Sequence, residues 1–265
     1  MSANPAPDAP LLLEELRGSV AWLTMNRPAA RNALSRGLMT ALEAALDRVG
    51  ADAAVRVVVI AGAGPAFCAG HDLREIRAEP GREAYQALFQ QCSRLMMRLV
   101  RLPKPVIARV HGVATAAGCQ LVASADLAIA AESARFATPG VNIGLFCSTP
   151  MVALSRAVGR KQAMEMLLTG ELVDAARARE IGLINRVVPD AALDEAVTAL
   201  AEEIAGKSPL TLAIGKEAFY RQAEMDLDAA YAYASEVMTR NMLARDAEEG
   251  IDAFLAKRTP RWTGC

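Results

Sequence analysis

Two segments rich in small residues, each following a strand-like apolar run, constrain the fold of this 265-residue chain more than any other feature. The first spans residues 62–73, has the sequence GAGPAFCAGHDL and follows a β-branched run that begins at Val55. The second spans residues 111–121, has the sequence HGVATAAGCQL and follows the run KPVIARV that begins at Lys104. A buried strand, a turn and a helix in this order predict an α/β fold.

A β-α-β unit is predicted around the first of these segments. SVAWLTM, from Ser19 to Met25, is typical of a strand, and Ser35 can cap the helix that follows it. The apolar stripe predicted for that helix consists of Leu38, Met39, Leu42, Leu46 and Val49. Short strands then alternate with helices up to about Val188.

Two further helix starts are marked in this part of the chain. Thr149 can cap a helix that has Pro150 at its first position. Asp174 is predicted to begin another helix, which Gly182 ends.

Strand signals stop near residue 190, and an all-helical region is predicted to follow. Ser208 begins one helix, and Asp246 with Glu249 forms a capping-box pattern for the last. The predicted helices span about residues 190–206, 208–221, 226–244 and 246–257. Their apolar residues exceed what a lone tail can hide, so we expect them to pack on the core or on another subunit.

The composition narrows the possible partners and locations. A net charge of -1 without basic clusters argues against nucleic acid, and no apolar run reaches the roughly 18 residues that a membrane span needs. The first ten residues, MSANPAPDAP, lack the pattern of a signal peptide, so we expect a disordered tip over residues 1–10 and a cytoplasmic location. Five cysteines without CxxC spacing and only two histidines predict no disulfide framework and no metal site.

The two small-residue segments suggest chemistry as well as structure. Small side chains let a ligand approach the backbone, and the first N–H groups of a helix have no acceptor within that helix. Two such groups that converge on one oxygen would form an oxyanion hole. The alternative is that both turns are only tight packing where a helix meets a sheet.

From about Val20 to its C-terminus the chain resembles the crotonase superfamily, also called the enoyl-CoA hydratase/isomerase family. The matching motifs are NRPAARNALS, VRVVVIAGAGPAFCAGHDL, KPVIARVHGVATAAGCQLVASADLAIA, RFATPGVNIGL, LLTGELVDAARAREIGLINRVVP and AFLAKR. ATAAGCQLVAS and FATPGVNIGLFCSTP further resemble one particular branch of the family.

The resemblance implies a ββα spiral core that binds acyl-CoA over residues 11–206, and a helical oligomerisation region over residues 207–265. It also implies a homotrimer or a hexamer of two trimers. No cofactor is implied beyond the coenzyme A of the substrate, and neither nucleic acid nor a membrane is an implied partner.

The resemblance also implies positions for a site. The backbone N–H groups of His71 and Ala117 would surround the thioester oxygen, and alanine at 117 replaces a usual glycine, which is harmless if its φ is negative. The residues that would line the coenzyme A groove or meet its phosphates are Arg31, Ala33, Ala66, Ala69, Asp72 and Leu73. Phe254 and Lys257, one turn apart on the last helix, match a pair that reaches adenine and phosphate.

The chain departs from the family at the two glutamates with which a hydratase positions water and moves its proton. Gln120 and Gly140 stand at these positions, and neither side chain can act as a general base. We therefore expect a lyase of the enoyl-CoA hydratase type that stabilises a thioester enolate, with Gln120 positioning water or substrate. Two alternatives are a malonyl-type acyl-CoA decarboxylase, whose branch shares the GHDL turn, and a non-catalytic acyl-CoA binder.

Other reactive side chains leave alternatives open. The His71 side chain is either an outward-facing turn residue or a substitute acid-base group. Cys147 and Ser148 are implied to face the acyl group, where Cys147 is either a pocket wall or a nucleophile with a lowered pKa. Asp126 is expected to bind main chain at a strand entry, and Glu132 is expected to be solvated.

Overall fold

In a computed structural model, which describes residues 9–265, nine strands form two sheets. The strands are β1 (Leu12–Arg17), β2 (Val20–Met25), β3 (Val57–Gly62), β4 (Val106–Val110), β5 (Val113–Thr115), β6 (Leu127–Ala131), β7 (Arg135–Ala137), β8 (Val173–Asp174) and β9 (Arg186–Val188). The larger sheet has the order β1-β2-β3-β4-β6-β9, and it is parallel except for the β1–β2 pair. The smaller sheet has the order β5-β7-β8.

Eleven α-helices accompany these sheets within the same residues. They are α1 (Arg36–Ala51), α2 (Leu73–Ala78), α3 (Arg82–Arg101), α4 (Ala117–Ser124), α5 (Ser148–Ala157), α6 (Arg160–Thr169), α7 (Ala175–Glu180), α8 (Leu193–Ala205), α9 (Pro209–Gln222), α10 (Leu227–Met242) and α11 (Arg245–Leu255). The α/β class and the helical C-terminal region predicted from the sequence are confirmed. No helix of the described range has the length and apolar character that crossing a bilayer requires.

Both faces of the larger sheet are buried, which explains why its strands are continuous apolar runs. Val58 and Ile60 of β3 face a core that also contains the stripe of α1, while Val57 and Val59 face a second core closed by α8. The period-2 alternation of strand side chains produces this division. At the start of α1 the Ser35 side chain accepts a hydrogen bond from the Leu38 N–H, as predicted.

A buried ion pair fastens the C-terminal helices to the core. The Lys216 Nζ of α9 lies 2.6 Å from an Asp126 carboxylate oxygen at the entry to β6. The same carboxylate accepts hydrogen bonds from the Val106 N–H at 2.7 Å and the Tyr220 hydroxyl at 2.8 Å. The predicted main-chain role of Asp126 is confirmed, and the ion pair adds a structural role that the sequence did not reveal.

Several local signals match the structure. Asp174 caps α7 by accepting from the Arg177 N–H at 2.8 Å, and Gly182 follows that helix with a φ of 86°. Ser208 caps α9, as predicted. Glu132 is exposed to solvent, as expected. Residues 1–8 of the tip predicted over residues 1–10 lie outside the described range.

Other local predictions are wrong. The helix near Thr149 begins at Ser148, so that Pro150 is its third residue. Proline is tolerated at the third position because the first N–H groups of a helix have no acceptor within that helix, so no hydrogen bond is lost. Strand β1 and helix α3 were missed, although the buried side chains of α3 recur at helical spacing: Leu88, Cys92, Leu95, Met96 and Leu99.

The capping box predicted at Asp246 is also wrong, because α11 begins one residue earlier and has no side-chain cap. The buried Asp246 carboxylate instead accepts hydrogen bonds from the Ser208 hydroxyl at 2.6 Å, the Thr263 N–H at 2.7 Å and the Gly264 N–H at 3.0 Å. Long-range contacts thus replace the local cap, and they hold the C-terminal tail against α9 and α11.

Candidate functional site

The two small-residue turns are joined to each other by backbone hydrogen bonds. The Phe67 N–H donates to the His111 carbonyl at 2.9 Å, and the Cys68 N–H donates to the Val113 carbonyl at 3.1 Å. In return, the Thr115 N–H donates to the Cys68 carbonyl at 2.9 Å. The segments that the sequence singled out therefore lie side by side.

A third loop, residues 26–34, is fixed against the first turn by Asn32. This side chain is fully buried, and its amide donates to the Ala63 and Ala66 carbonyls, each at 2.8 Å. The Ala69 N–H also donates to the Arg31 carbonyl at 3.0 Å. Sequence reasoning missed Asn32, although its place inside the NRPAARNALS motif was a signal that could have identified it.

The N–H groups of His71 and Ala117 both lack an acceptor among the described residues. The Leu34 N–H donates to the Gly70 carbonyl, and the Asp72 N–H donates to the Leu34 carbonyl. In this parallel pairing the N–H of His71, which lies between Gly70 and Asp72, points away from Leu34. Ala117 is the first residue of α4, so the helix provides no acceptor for its N–H. Within residues 9–265 neither group donates a hydrogen bond.

Close backbone approach brings these two residues together. A Cβ atom built on Gly70 would lie 2.9 Å from the Ala116 Cβ and 3.6 Å from the Ala117 nitrogen. A Cβ atom on Gly118 would lie 2.0 Å from the Cys68 carbonyl oxygen. Only glycine fits at either position, and the missing side chains allow the two turns to touch.

Backbone strain lies at Ala116, one residue before Ala117. Ala116 has φ 50° and ψ −116°, a conformation that a residue with a Cβ rarely adopts. Ala117 has no positive φ, which meets the condition for its substitution to be harmless. Strain of this kind costs about 1–3 kcal/mol and is found where the surroundings determine the backbone.

Gln120 lies on α4 and is buried against the neighbouring helix α3. It is 4% exposed, and its side-chain oxygen accepts a hydrogen bond from the Cys92 thiol of α3 at 3.8 Å. Its amide can hold a water or a substrate oxygen, but it has no titratable proton near neutral pH.

The space that a side chain at position 140 would occupy is already filled by neighbouring atoms. Gly140 lies in the 3-10 helix Pro139–Ile143, where its carbonyl accepts from the Leu145 N–H at 2.9 Å. A Cβ atom at this position would lie 2.5 Å from the Leu145 carbonyl oxygen and 2.9 Å from the Cys147 sulfur. No larger residue fits here unless the segment 145–147 moves.

The side chain of His71 points inward, so the first of its two alternatives, an outward-facing turn residue, is wrong. Its ring packs edge-on against Phe89 of α3, with centroids 5.7 Å apart and an interplanar angle of 75°. Both ring nitrogens are buried and have no hydrogen-bond partner within the described residues. Burial lowers the pKa of His71, which the nearby Leu34 carbonyl opposes in part.

Asp72 has a structural role at the same turn. Its carboxylate accepts from the Arg74 N–H at 3.1 Å and the Glu75 N–H at 3.4 Å, capping α2, and it pairs with Arg27 at 2.8 Å. Burial raises the pKa of Asp72, but the hydrogen bonds from Arg27 and the cap outweigh burial, so the net pKa is below its ordinary value. Leu73 follows as the first residue of α2 and is half exposed.

The other residues that the resemblance implied are only partly brought together. Ala33 and Ala66 are buried beside the first turn, Ala69 is half-buried there, and the Arg31 side chain is exposed next to them.

The C-terminal pair lies elsewhere in this chain. Phe254 is 82% exposed, and its helix α11 packs on α9 and α10. Lys257 was expected on the same helix, but α11 ends at Leu255 and Lys257 follows it with a φ of 53°.

Cys147 and Ser148 lie at the start of α5, beside Gly140. Burial raises the pKa of the Cys147 thiol, although the Gly140 backbone opposes this in part, and a raised pKa disfavours a nucleophilic thiolate. The Ser148 hydroxyl is exposed and donates to the Phe146 carbonyl at 3.3 Å. Over the described range, no three His, Cys, Asp or Glu side chains are grouped as metal ligands would be.

Comparison with known proteins identifies the family to which this arrangement belongs. The sequence profile of the enoyl-CoA hydratase/isomerase family matches residues 15–265. The chain belongs to the enoyl-CoA hydratase/isomerase family.

Relatives within the family match nearly the whole of this chain and have the same fold. The human mitochondrial enoyl-CoA hydratase domain-containing protein 3 is 45% identical over 98% of this chain and 85% of its own. A crystal structure of that human protein superposes with a TM-score of 0.92, covering 95% of this chain and 100% of the other. An enoyl-CoA hydratase from Mycobacterium smegmatis is 55% identical, with a TM-score of 0.94 and coverage of 96% and 99%.

These relatives confirm the crotonase fold and the branch that the motifs suggested. They contradict the expected cytoplasmic location, because the rat, human and mouse relatives are all named as mitochondrial proteins. The composition of the first residues was therefore a poor guide to location.

Proposed function

We propose that this protein binds an acyl-CoA thioester and holds its carbonyl oxygen between the N–H groups of His71 and Ala117. The observation that carries the proposal is the pair of N–H groups without acceptors on two turns joined by hydrogen bonds. Donors aimed at an oxygen that becomes negatively charged are worth about 3–4 kcal/mol each in well-studied enzymes. A thioester enolate is the intermediate that such a site stabilises.

By family, the corresponding reaction is that of a lyase of the enoyl-CoA hydratase type. Gln120 would position a water or a substrate oxygen, and no carboxylate would take the proton of that water. Acid-base assistance contributes about 10²- to 10⁴-fold in rate, so hydration would be slower by a factor of this order. Hydration exchanges no electrons with a cofactor, so the proposed reaction requires no redox group.

The filled space at Gly140 favours a second candidate, the decarboxylation of a malonyl-type thioester. The bond between C2 and the carboxylate carbon breaks, carbon dioxide leaves, and the electron pair passes to the thioester as an enolate. The two N–H groups would hold the enolate oxygen until C2 takes a proton and the acyl product forms. This reaction needs no general base at position 140, where Leu145 and Cys147 leave no room for one.

Three thioesters test these proposals against each other. Butyryl-CoA measures binding alone, crotonyl-CoA measures hydration through loss of its conjugated absorbance, and malonyl-CoA measures release of carbon dioxide. We expect binding of all three, with the carbonyl stretching band of bound crotonyl-CoA at a lower wavenumber than in buffer. No binding, or an unshifted band, would exclude the oxyanion hole, and binding without turnover would leave a non-catalytic acyl-CoA binder.

We also propose that the chain assembles as a homotrimer or as a hexamer of two trimers. Large apolar side chains of α9, α10 and α11 and of the residue that follows α10 are exposed in the single chain, namely Phe219, Leu227, Tyr231, Met238, Leu243, Phe254 and Leu255. An apolar surface of this kind is typical of an interface. Light scattering after gel filtration tests the proposal, which a monomeric mass would refute.

A further inference from the structure

The two ends of the Gln120 amide have different surroundings. Its oxygen, Oε1, accepts a hydrogen bond from the Cys92 thiol, whose sulfur lies 3.8 Å away. Its nitrogen, Nε2, donates to no group within residues 9–265, yet it is not among the five side-chain atoms in these residues that are sealed from solvent without a partner. The nitrogen end of the amide therefore borders open space, although Gln120 as a whole is only 4% exposed.

The position of Gln120 on α4 indicates which space this is. Ala117, whose N–H is one of the two proposed donors to the thioester oxygen, lies three residues earlier on α4, and residues three apart share one helix face. Side chains of a helix lean toward its N-terminus, so the Gln120 side chain extends toward the first turn of α4. The Ala117 N–H lacks an acceptor at that same turn. The open space at Nε2 is therefore on the side of the candidate site.

Cys92 is suited to donating a hydrogen bond to this amide. It is fully buried on α3, one turn after Phe89, which packs against the His71 ring. Burial, and to a smaller extent the neighbouring Cys68, raise the pKa of the Cys92 thiol to about 12, so the sulfur keeps its hydrogen at neutral pH. An amide oxygen can accept this hydrogen, whereas an amide nitrogen cannot. The contact therefore favours the orientation in which Oε1 of Gln120 faces α3.

The orientation matters because the two ends of a carboxamide have the same shape and opposite hydrogen-bonding character. The oxygen only accepts hydrogen bonds, and the nitrogen only donates them. Without a fixed partner, either end of Gln120 could face a ligand. A single thiol on a neighbouring helix is enough to distinguish the two orientations.

We infer that Cys92 is a positioning residue of the site: its thiol holds the Gln120 oxygen, so that the amide turns its N–H hydrogens toward the bound thioester. The identity of that ligand rests on the proposed function. Gln120 then adds a third donor to the N–H groups of His71 and Ala117. It holds the thioester oxygen, or a water beside it, through an oxygen lone pair, and it accepts no hydrogen from that water.

Hydrogen exchange of the Gln120 amide tests the orientation without requiring activity. Nitrogen-15 labelling of the six glutamines gives six side-chain NH₂ pairs, and the pair that disappears in Gln120→Met belongs to Gln120. We expect its hydrogens to exchange rapidly in the ligand-free protein and about tenfold more slowly with saturating butyryl-CoA, which covers the open space. Hydrogens that are already protected in the ligand-free protein would show that the oxygen faces the site, and the inference would fail.

Affinity for butyryl-CoA tests the role of Cys92 with matched variants. Cys92→Ala removes the donor, and Cys92→Ser replaces it with a hydroxyl donor of similar size. Cys119→Ala is the control, because Cys119 is an equally buried thiol of α4 that makes no side-chain hydrogen bond within the described residues. We expect Cys92→Ala to weaken binding about 3- to 10-fold, while Cys92→Ser and Cys119→Ala stay within about twofold of wild type.

The same substitution in a second background separates positioning from packing. In Gln120→Met the amide is gone, so adding Cys92→Ala should change the affinity by less than about twofold. The inference would be overturned by an unchanged affinity of Cys92→Ala, by an equal loss in both backgrounds, or by a loss that serine does not restore. If no variant and not even the wild type binds butyryl-CoA, the proposed function itself fails, and the ligand-free exchange rates still decide the orientation of Gln120.

Discussion

Placing a glutamate at position 140, where the resemblance implies one in a hydratase, should fail in this protein for a steric reason. Under the proposed correspondence, the variant Gly140→Glu supplies one of the two hydratase carboxylates, and Gln120→Glu supplies the other. At position 120 the change preserves the size of the side chain. At position 140, by contrast, even the first carbon of a side chain would lie 2.5 Å from the Leu145 carbonyl oxygen.

The size of the effect can be estimated from the simpler variant Gly140→Ala. Gly140 has no positive φ, so alanine adds no backbone strain and the cost arises from the clash with Leu145 and Cys147. Overpacking by one carbon costs about 1–3 kcal/mol, and the smaller entropy of an unfolded alanine returns about 0.4–1 kcal/mol. The net cost is then up to about 2.6 kcal/mol, so at about 2–4 °C per kcal/mol for a domain of similar size we expect Tm to fall by up to roughly 10 °C.

Gly215→Ala is the matched control. Gly215 lies on an exposed part of α9, where a new Cβ atom would have no neighbour within 4 Å. Alanine there should stabilise the helix by about 0.5–1 kcal/mol. Thermal unfolding of the two alanine variants should therefore give shifts of opposite sign from the same chemical change.

The catalytic assay follows the absorbance of crotonyl-CoA with the single variants and with Gln120→Glu/Gly140→Glu. We expect the double variant to be less stable than Gly140→Ala and to hydrate crotonyl-CoA no faster than Gln120→Glu alone. A double variant with the Tm of wild type and hydration at least tenfold faster than the Gln120→Glu rate would refute the reasoning. The loop 145–147 would then be movable, and the proposed exclusion of a carboxylate would not hold.

Three further predictions concern parts of the structure that position the site. Ala116→Gly should stabilise the protein by about 0.5–1 kcal/mol in urea unfolding, because relief of about 1–2 kcal/mol of left-handed strain exceeds the added entropy of glycine. Asp126→Asn should destabilise it by about 3–5 kcal/mol by leaving Lys216 charged and buried, and adding Lys216→Met should recover part of this loss. The Asp246 carboxylate has a pKa below its ordinary value, because its hydrogen bonds outweigh burial, which acts to raise it. The stability that the ionised Asp246 carboxylate contributes is therefore fully present above about pH 3.9, the pKa of an aspartate in the unfolded chain. It is lost as the pH falls through the lower pKa of the folded state. Hydrogen exchange at Thr263 should accelerate in that acid range, and an unchanged exchange rate would contradict the assignment.

Much of the fold was predictable because its signals are local. Ser35, Asp174 and Ser208 cap helices through side-chain bonds to residues three positions later, a spacing visible in any sequence. Asp246 has the same local pattern and does not cap a helix, because partners as far away as Ser208 and Gly264 compete for its carboxylate. A capping pattern therefore predicts a helix start only where no distant donor reaches the same oxygen.

The candidate site was predictable in its backbone but not in its side chains. Small residues identified the two turns, since only they allow the approach of Gly70 to Ala117 and of Gly118 to Cys68. No sequence pattern fixes the direction of the His71 ring, because that direction depends on Phe89, a residue from a helix that sequence reasoning missed.

The two positions where the resemblance implies glutamates therefore differ physically. Gln120 keeps the length and shape of a glutamate and loses only the titratable proton, so a single substitution could reverse this change. At Gly140 the backbone carbonyl of Leu145 and the sulfur of Cys147 occupy the space of a side chain. A larger residue at position 140 would therefore require the backbone of residues 145–147 to move. A site that can regain at most one carboxylate is poorly suited to adding water. In the proposed site the N–H groups of His71 and Ala117 hold an enolate oxygen, and that step depends on these two groups and not on position 140.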